Sequence, residues 1–193
     1  MPKTRVEAFT DAVIAIVMTL MVLELHIPVT DGWDALLSQS HKLIIYLISF
    51  INLAIYWNNH HHMFQLAKTV NGSILWLNNW FIFAISLFPF ATSWLSEFPT
   101  SQAPEMTYGT IVLFANLAYL FLAKGLIKGN GPHSLIAQRL KDNWKPIASV
   151  SLNVFALILG YFLAPIAVLI INILILIMWI VPEKKVEEHY QHT

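Results

Sequence analysis

The feature that most limits what this chain can fold into is the grouping of its apolar residues into long, nearly uncharged runs. A helix that crosses the hydrocarbon of a bilayer needs roughly 17–25 mostly apolar residues. Six segments meet that length: 6–26, 40–59, 74–95, 106–127, 146–163 and 165–181. The last two form one apolar stretch too long for a single crossing. Ala164-Pro165 divides it, because proline disfavours helix at the residue before it. Only 11% of the 193 residues are charged, 57% are hydrophobic, and the mean hydropathy is +0.63. A soluble domain of this size carries about a quarter charged residues, so lipid is the expected solvent. The expected fold is all-α: a polytopic membrane protein with six transmembrane helices per subunit, forming one unit over 1–193 with a linker at 128–145.

Composition also removes several function classes. Cysteine is absent, which excludes a disulfide framework, thiolate chemistry and cysteine-ligated zinc. A formal net charge of zero argues against a nucleic-acid partner. The first apolar run contains Asp11 and Glu24 and is followed by no small-residue cleavage site, so it is expected to remain as a span. With six spans both ends of the chain share a side. Putting that side in the cytoplasm gathers Lys3, Arg5, Lys68, Lys124, Lys128, Arg139, Lys141, Lys145, Lys184 and Lys185 there and leaves Lys42 alone outside. Ten of eleven basic residues then obey the positive-inside bias. The outer loops receive Asp31, Asp34, Glu97 and Glu105, a rim that would gather cations and is also what the charge bias leaves behind.

Polar side chains inside apolar spans are costly and face protein or water. Asn52, Asn78, Asn79, Asn116, Asn153 and Asn172 read as interhelical hydrogen-bonding groups. Pro89 should kink the third span, since it cannot donate to the carbonyl of Ile85. Trp57-Asn58-Asn59-His60-His61-His62 resembles a metal tract, but neighbouring helical residues point about 100° apart and three adjacent imidazoles cannot converge on one ion. It is read as the polar end of the second helix, placed to bond with the start of the first; a pH-sensing role is the other reading. In the first helix Ala12, Ile16, Thr19 and Leu23 fall on one stripe. From periodicity such a stripe reads as an ordinary packing face, with Thr19 bonded back to the carbonyl four residues earlier.

The run Arg5-Val6-Glu7-Ala8-Phe9-Thr10-Asp11 resembles the signature of the lysosomal potassium channel family, transmembrane protein 175, and its bacterial homologues. That signature is Arg, three residues, then Phe-Ser-Asp at the start of the first helix. Thr10 stands in the serine place and keeps the hydroxyl. Thr19 and the end Val22-Leu23-Glu24-Leu25 are also similar to the family. The resemblance implies a potassium-favouring cation channel without the TVGYG filter, a homotetramer whose first helices line a central pore. It needs no cofactor beyond the permeant potassium ions. Membrane lipid is its surroundings, and the implied location is a bacterial plasma (inner) membrane with both termini cytoplasmic. Thr107-Tyr108-Gly109-Thr110, the nearest approach to TVGYG, is not a filter on this reading.

By the family pattern Ile16 is a hydrophobic constriction, Thr19 a hydroxyl ring and Leu23 a second apolar constriction. Arg5, Phe9, Thr10 and Asp11 are read as scaffold, with Trp57 and Asn58 in the same structural network. The rival classes are a proton-coupled secondary transporter using Asp11, Glu24 and the histidines, and a poorly selective cation or proton channel. A lipid-modifying membrane enzyme would have only the histidine run to work with.

Overall fold

A computed structural model describes residues 2–140 and 143–180 of the chain. Of the basic residues assigned to the cytoplasmic side, Lys141, Lys184 and Lys185 lie outside the described residues, as does Val181 at the end of the expected sixth span. Among the described residues the chain is helical, with no strand. The helices are α1 (Lys3–Leu23), α2 (Trp33–Ser38), α3 (Ser40–Leu66), α4 (Gly72–Ser86), α5 (Phe88–Glu97), α6 (Gln102–Asn130), α7 (Leu135–Leu140), α8 (Lys145–Phe162) and α9 (Ala167–Ile180).

Five segments are long and apolar enough to cross a membrane: α1, α3, α4 with α5 (Gly72–Glu97), α6 and α8. The sixth expected segment is present as α9, whose 14 described residues fall short of the length a crossing needs. Several helices overrun the expected bounds. The 27 residues of α3 extend about 40 Å against roughly 30 Å of hydrocarbon, so the helix continues through the polar tract to Leu66 where apolar counting stops at 59. For the same reason α6 runs through residue 128 to Asn130, and the expected linker contains the short helix α7. The first helix starts earlier than expected, at Lys3, and ends at Leu23 rather than 26. The loop between α1 and α3 holds α2, which no apolar run announced.

Proline and asparagine account for the breaks. The third span breaks at Leu87, two residues before Pro89, which removes a helical N–H and crowds the preceding turn. The α8–α9 turn falls at Ala164-Pro165. At the basic end, Asn130 Oδ1 accepts from the amides of Lys68 and Thr69 at 2.8 and 2.9 Å, tying the α3–α4 turn to the end of α6. Gly131 follows with φ +90°, a conformation that favours glycine.

The core lies where α3, α4, α5 and α6 meet. Tyr56, Phe81, Phe88 and Tyr108 are buried there and meet edge to face. Two polar chains cross it. Thr92 donates to Ser49 at 2.8 Å, Ser49 lies 3.1 Å from the Tyr108 hydroxyl, and Asn52 donates to Asn172 at 3.3 Å. Tyr56 donates to Asn116 at 2.8 Å, and Asn116 to Asn153. Glu105, expected on the outer rim, is instead fully buried in the first turns of α6, and neither carboxylate oxygen has an aligned hydrogen bond among the described residues.

On the far side, Val168 of α9 wedges between Gly109 of α6 and Gly160 of α8. A Cβ on either glycine would meet a Val168 methyl at 2.5 Å. Small residues let membrane helices approach this closely, and valine is too stiff at χ1 to turn aside. Gly109→Ala should therefore cost about 1–3 kcal/mol by overpacking and lower the unfolding temperature in detergent. Gly72→Ala, with nothing within 4 Å of the new methyl, should leave it unchanged.

Candidate functional site: the first helix

Helix α1 has two faces of different character. Val6, Thr10, Ile14, Val17 and Met21 are buried against the bundle. Ala12, Ile16, Thr19 and Leu23 project about 150° away, at 3.6 residues per turn. Within the single chain Ile16 is 56% exposed and Leu23 76%, and Ala12 and Thr19 are exposed too. The Thr19 hydroxyl donates to the Ile16 carbonyl at 2.8 Å, three residues back rather than four. Its proton is thereby committed, and its oxygen keeps acceptor lone pairs for the outward face.

Four attachments set the rotation of α1. The Lys3 ammonium donates to the Phe64 carbonyl at 2.9 Å. Thr10 is fully buried; its hydroxyl donates to the Val6 carbonyl at 2.9 Å and accepts from Asn78 Nδ2 at 2.9 Å. The Asp11 carboxylate accepts from the Trp57 indole at 3.0 Å. Beyond the end of the helix, Ser93 donates to Glu24 at 2.9 Å. Thr10 thus grips α4, Asp11 and Lys3 grip α3, and Glu24 grips α5.

Asn78 and His60 complete the inner anchor. Asn78 Oδ1 lies 2.9 Å from His60 Nε2, and because an amide oxygen only accepts, the imidazole proton sits on Nε2. The ring is sandwiched by Phe64 at 4.3 Å and Phe81 at 5.6 Å. Its Nδ1 is buried without a hydrogen bond among the described residues. His60 donates to Asn78, Asn78 to Thr10 and Thr10 to the Val6 carbonyl, so the orientation of the amide is self-consistent.

The other members of the histidine tract go elsewhere. His61 stacks on Trp57 with centroids 5.9 Å apart and lies 2.8 Å from Gln65. No group of three or more His, Cys, Asp or Glu side chains able to hold a metal occurs among the described residues. The structure does not bring Arg5, Phe9 or Asn58 into the Thr10–Asp11 attachments. All three are exposed, and Arg5 lies on the same face as Ala12 and Leu23. The bond expected between the Trp57–His62 tract and the start of the first helix is made by Trp57 to Asp11. The pairing of Thr10 with Asn78, itself held by His60, is not legible in sequence, since a buried asparagine announces that it bonds across helices but not to what.

At the end of the bundle opposite the basic one the acidic groups are largely spoken for. Glu97 pairs with Lys42, Glu24 with Ser93, and Glu105 is inside α6. Thr107-Tyr108-Gly109-Thr110 is continuous α-helix. Its carbonyls therefore point along the helix axis and cannot line a filter.

Comparison with known proteins gives the family and the fold. Residues 5–89, which hold α1, its partners on α3 and α4 and the Leu87 break, match the family model described as endosomal/lysosomal potassium channel TMEM175. A potassium channel of Chryseobacterium sp. (strain P1-3) is 38% identical over 188 residues, covering 97% of each chain. The fold matches the crystal structure of a lysosomal potassium-selective channel TMEM175 homolog from Chamaesiphon minutus with a TM-score of 0.79, at 23% identity, over 92% of this chain and 95% of that one. The endosomal/lysosomal proton channel TMEM175 of Danio rerio is 26% identical over 58% of this chain, which spans 23% of that protein. An all-helical membrane architecture, a first helix anchored through its Thr-Asp pair and a near full-length match to a bacterial relative converge: the chain belongs to the TMEM175 family of cation channels, and is a channel rather than an enzyme.

Proposed function

We propose that the chain is a potassium-favouring channel whose pore is lined by α1 from four copies around a common axis. The observation that carries this reading is the orientation of α1. Four attachments turn Thr10 inward and leave the Ala12, Ile16, Thr19 and Leu23 stripe uncovered by its own chain. Arg5 and Phe9, exposed near the basic end, then serve contacts between neighbouring subunits. In this assembly α9 completes a sixth crossing as the partner of α8, and both termini face the cytoplasm of a bacterial cell. The described basic residues Lys3, Arg5, Lys68, Lys128, Arg139 and Lys145 favour that orientation, because they flank helix ends on one side of the bundle.

In the proposed pore a ring of four Ile16 side chains forms an apolar constriction. Such a ring expels water and closes the path or forces ions to shed hydration. The Thr19 ring, one turn further out, offers neutral oxygens in place of part of the lost shell. Potassium gives up water more readily than sodium, so neutral hydroxyls favour it. Discrimination is weaker than in a cage of carbonyls, because one oxygen per subunit replaces little of the shell. Leu23 narrows the outer mouth. A second reading, a cation channel that also passes protons, is favoured by the vertebrate relatives, which are called proton channels.

Three outcomes are expected in reconstituted vesicles. Ile16→Asn lines the constriction with amides, keeps it wet and raises the resting potassium leak. Thr19→Ala preserves conduction but lowers the potassium-to-sodium permeability ratio roughly 2- to 10-fold, the equivalent of one hydrogen bond of about 0.5–1.5 kcal/mol. If both variants conduct like the parent protein, α1 does not line the pore. Asn78→Leu leaves buried Thr10 and His60 without their partner, which costs about 1–3 kcal/mol for each stranded group. It should lower thermal stability and produce a leak without touching any lining residue.

A further inference from the structure

A cleft of about 170 Å³ opens at the basic end of the bundle between α6, the end of α7 and the start of α8. Ala123, Ile127, Pro146 and Ile147 form apolar walls, and Lys124 and Asn143 supply its polar groups. An apolar cavity of about 150 Å³ takes up a ligand the size of benzene, so this one has room for a segment of an acyl chain but not a whole lipid. The cleft is built by helices that α1 does not rest on: α1 packs on α3, α4 and α5, whereas the cleft is lined by α6, α7 and α8.

Three features give the cleft a chemical character. Lys124 is exposed, stands six residues before the end of α6, about 9 Å along its axis, and has no carboxylate partner among the described residues. Asn143 commits its side-chain oxygen to the Lys145 amide at 3.0 Å, which leaves its Nδ2 as a donor. Trp144, between two residues that line the cleft, is 58% exposed, and indoles gather at the membrane–water boundary. An apolar slot with a cation and an amide donor at headgroup depth fits an amphiphile with an anionic head.

We propose that this cleft binds one anionic phospholipid from the leaflet at the basic end of the bundle. Its phosphate meets Lys124 and Asn143, and part of one acyl chain lies against Ala123, Ile127 and Ile147. Assignment to the cytoplasmic leaflet rests on the orientation proposed above; the chemistry of the cleft does not.

The test uses the purified full chain equilibrated with mixed phosphatidylglycerol and phosphatidylcholine, with retained lipid counted by native mass spectrometry. The parent protein should retain phosphatidylglycerol in preference to phosphatidylcholine. Lys124→Gln, an exposed substitution, should weaken that preference about fivefold, the effect of one basic residue at an anionic surface. Ala123→Phe should fill the slot and reduce retention of both lipids, while Lys68→Gln, a basic residue outside the cleft, should change nothing. Unaltered retention in both cleft variants would overturn the proposal. So would displacement of the lipid by inorganic phosphate alone, which would mark a simple anion site. Because retention is read without ion flux, failure here is distinct from failure of the pore assignment.

Discussion

The rotation of α1 about its own axis is the constraint on which the rest depends. A helix with apolar residues all round can turn in lipid at little cost, since Ile14 and Ile16 are equally content in hydrocarbon. What forbids the turn is Thr10, whose buried hydroxyl would lose Asn78 and enter lipid unpaired. Asp11 and Trp57 add a second fixed point about 100° away on the helix. Two adjacent polar residues bonded to two different helices define an angle, which a single bond would not. The residues that face outward are therefore chosen by residues that face inward.

The same economy governs the remainder of the bundle. Apolar packing between helices is poorly directional when lipid is as apolar as the side chains it competes with, so specificity falls to close steric fit and to hydrogen bonds. The Thr92–Ser49–Tyr108 and Tyr56–Asn116–Asn153 chains cross-link α3, α5, α6 and α8 at the middle of the bundle. Val168 between two glycines supplies the steric counterpart between α6, α8 and α9. Each device marks one relative position of its helices as better than its neighbours.

Much of this was legible in the sequence, and the limits are physical. Apolar length located the five helices long enough to cross and the shorter α9, and Pro89 and Ala164-Pro165 located the breaks, because both effects are local. Helix ends were less legible: hydropathy reports where hydrocarbon stops, whereas α3 continues for two further turns through the histidine tract, with Met63 and Phe64 buried in the core. Glu105 was misplaced because its charge suggested a loop while its position in α6 buries it against other elements. The stripe of Ile16, Thr19 and Leu23 was visible as a period. That it is the uncovered face depends on Asn78 and His60, which lie far along the chain from Thr10 and whose pairing no spacing encodes. The signature run from Arg5 to Asp11 carried the family, yet Arg5 and Phe9 do not join the Thr10–Asp11 attachments within the subunit.

The bond from the Thr19 hydroxyl to the Ile16 carbonyl bears on the sign of the ion that an α1-lined path would accept. A free hydroxyl is ambivalent: it can turn its proton toward an anion as readily as its lone pairs toward a cation. Here the proton is held against the helix, so only the electron-rich side of each oxygen is on offer. In the proposed ring, chloride, which needs donors, would find none from these hydroxyls. Exclusion of anions then requires no fixed negative charge on the stripe, and Ala12, Ile16, Thr19 and Leu23 carry none. Discrimination by sign would arise inside a single helical turn, from where one hydrogen atom is spent.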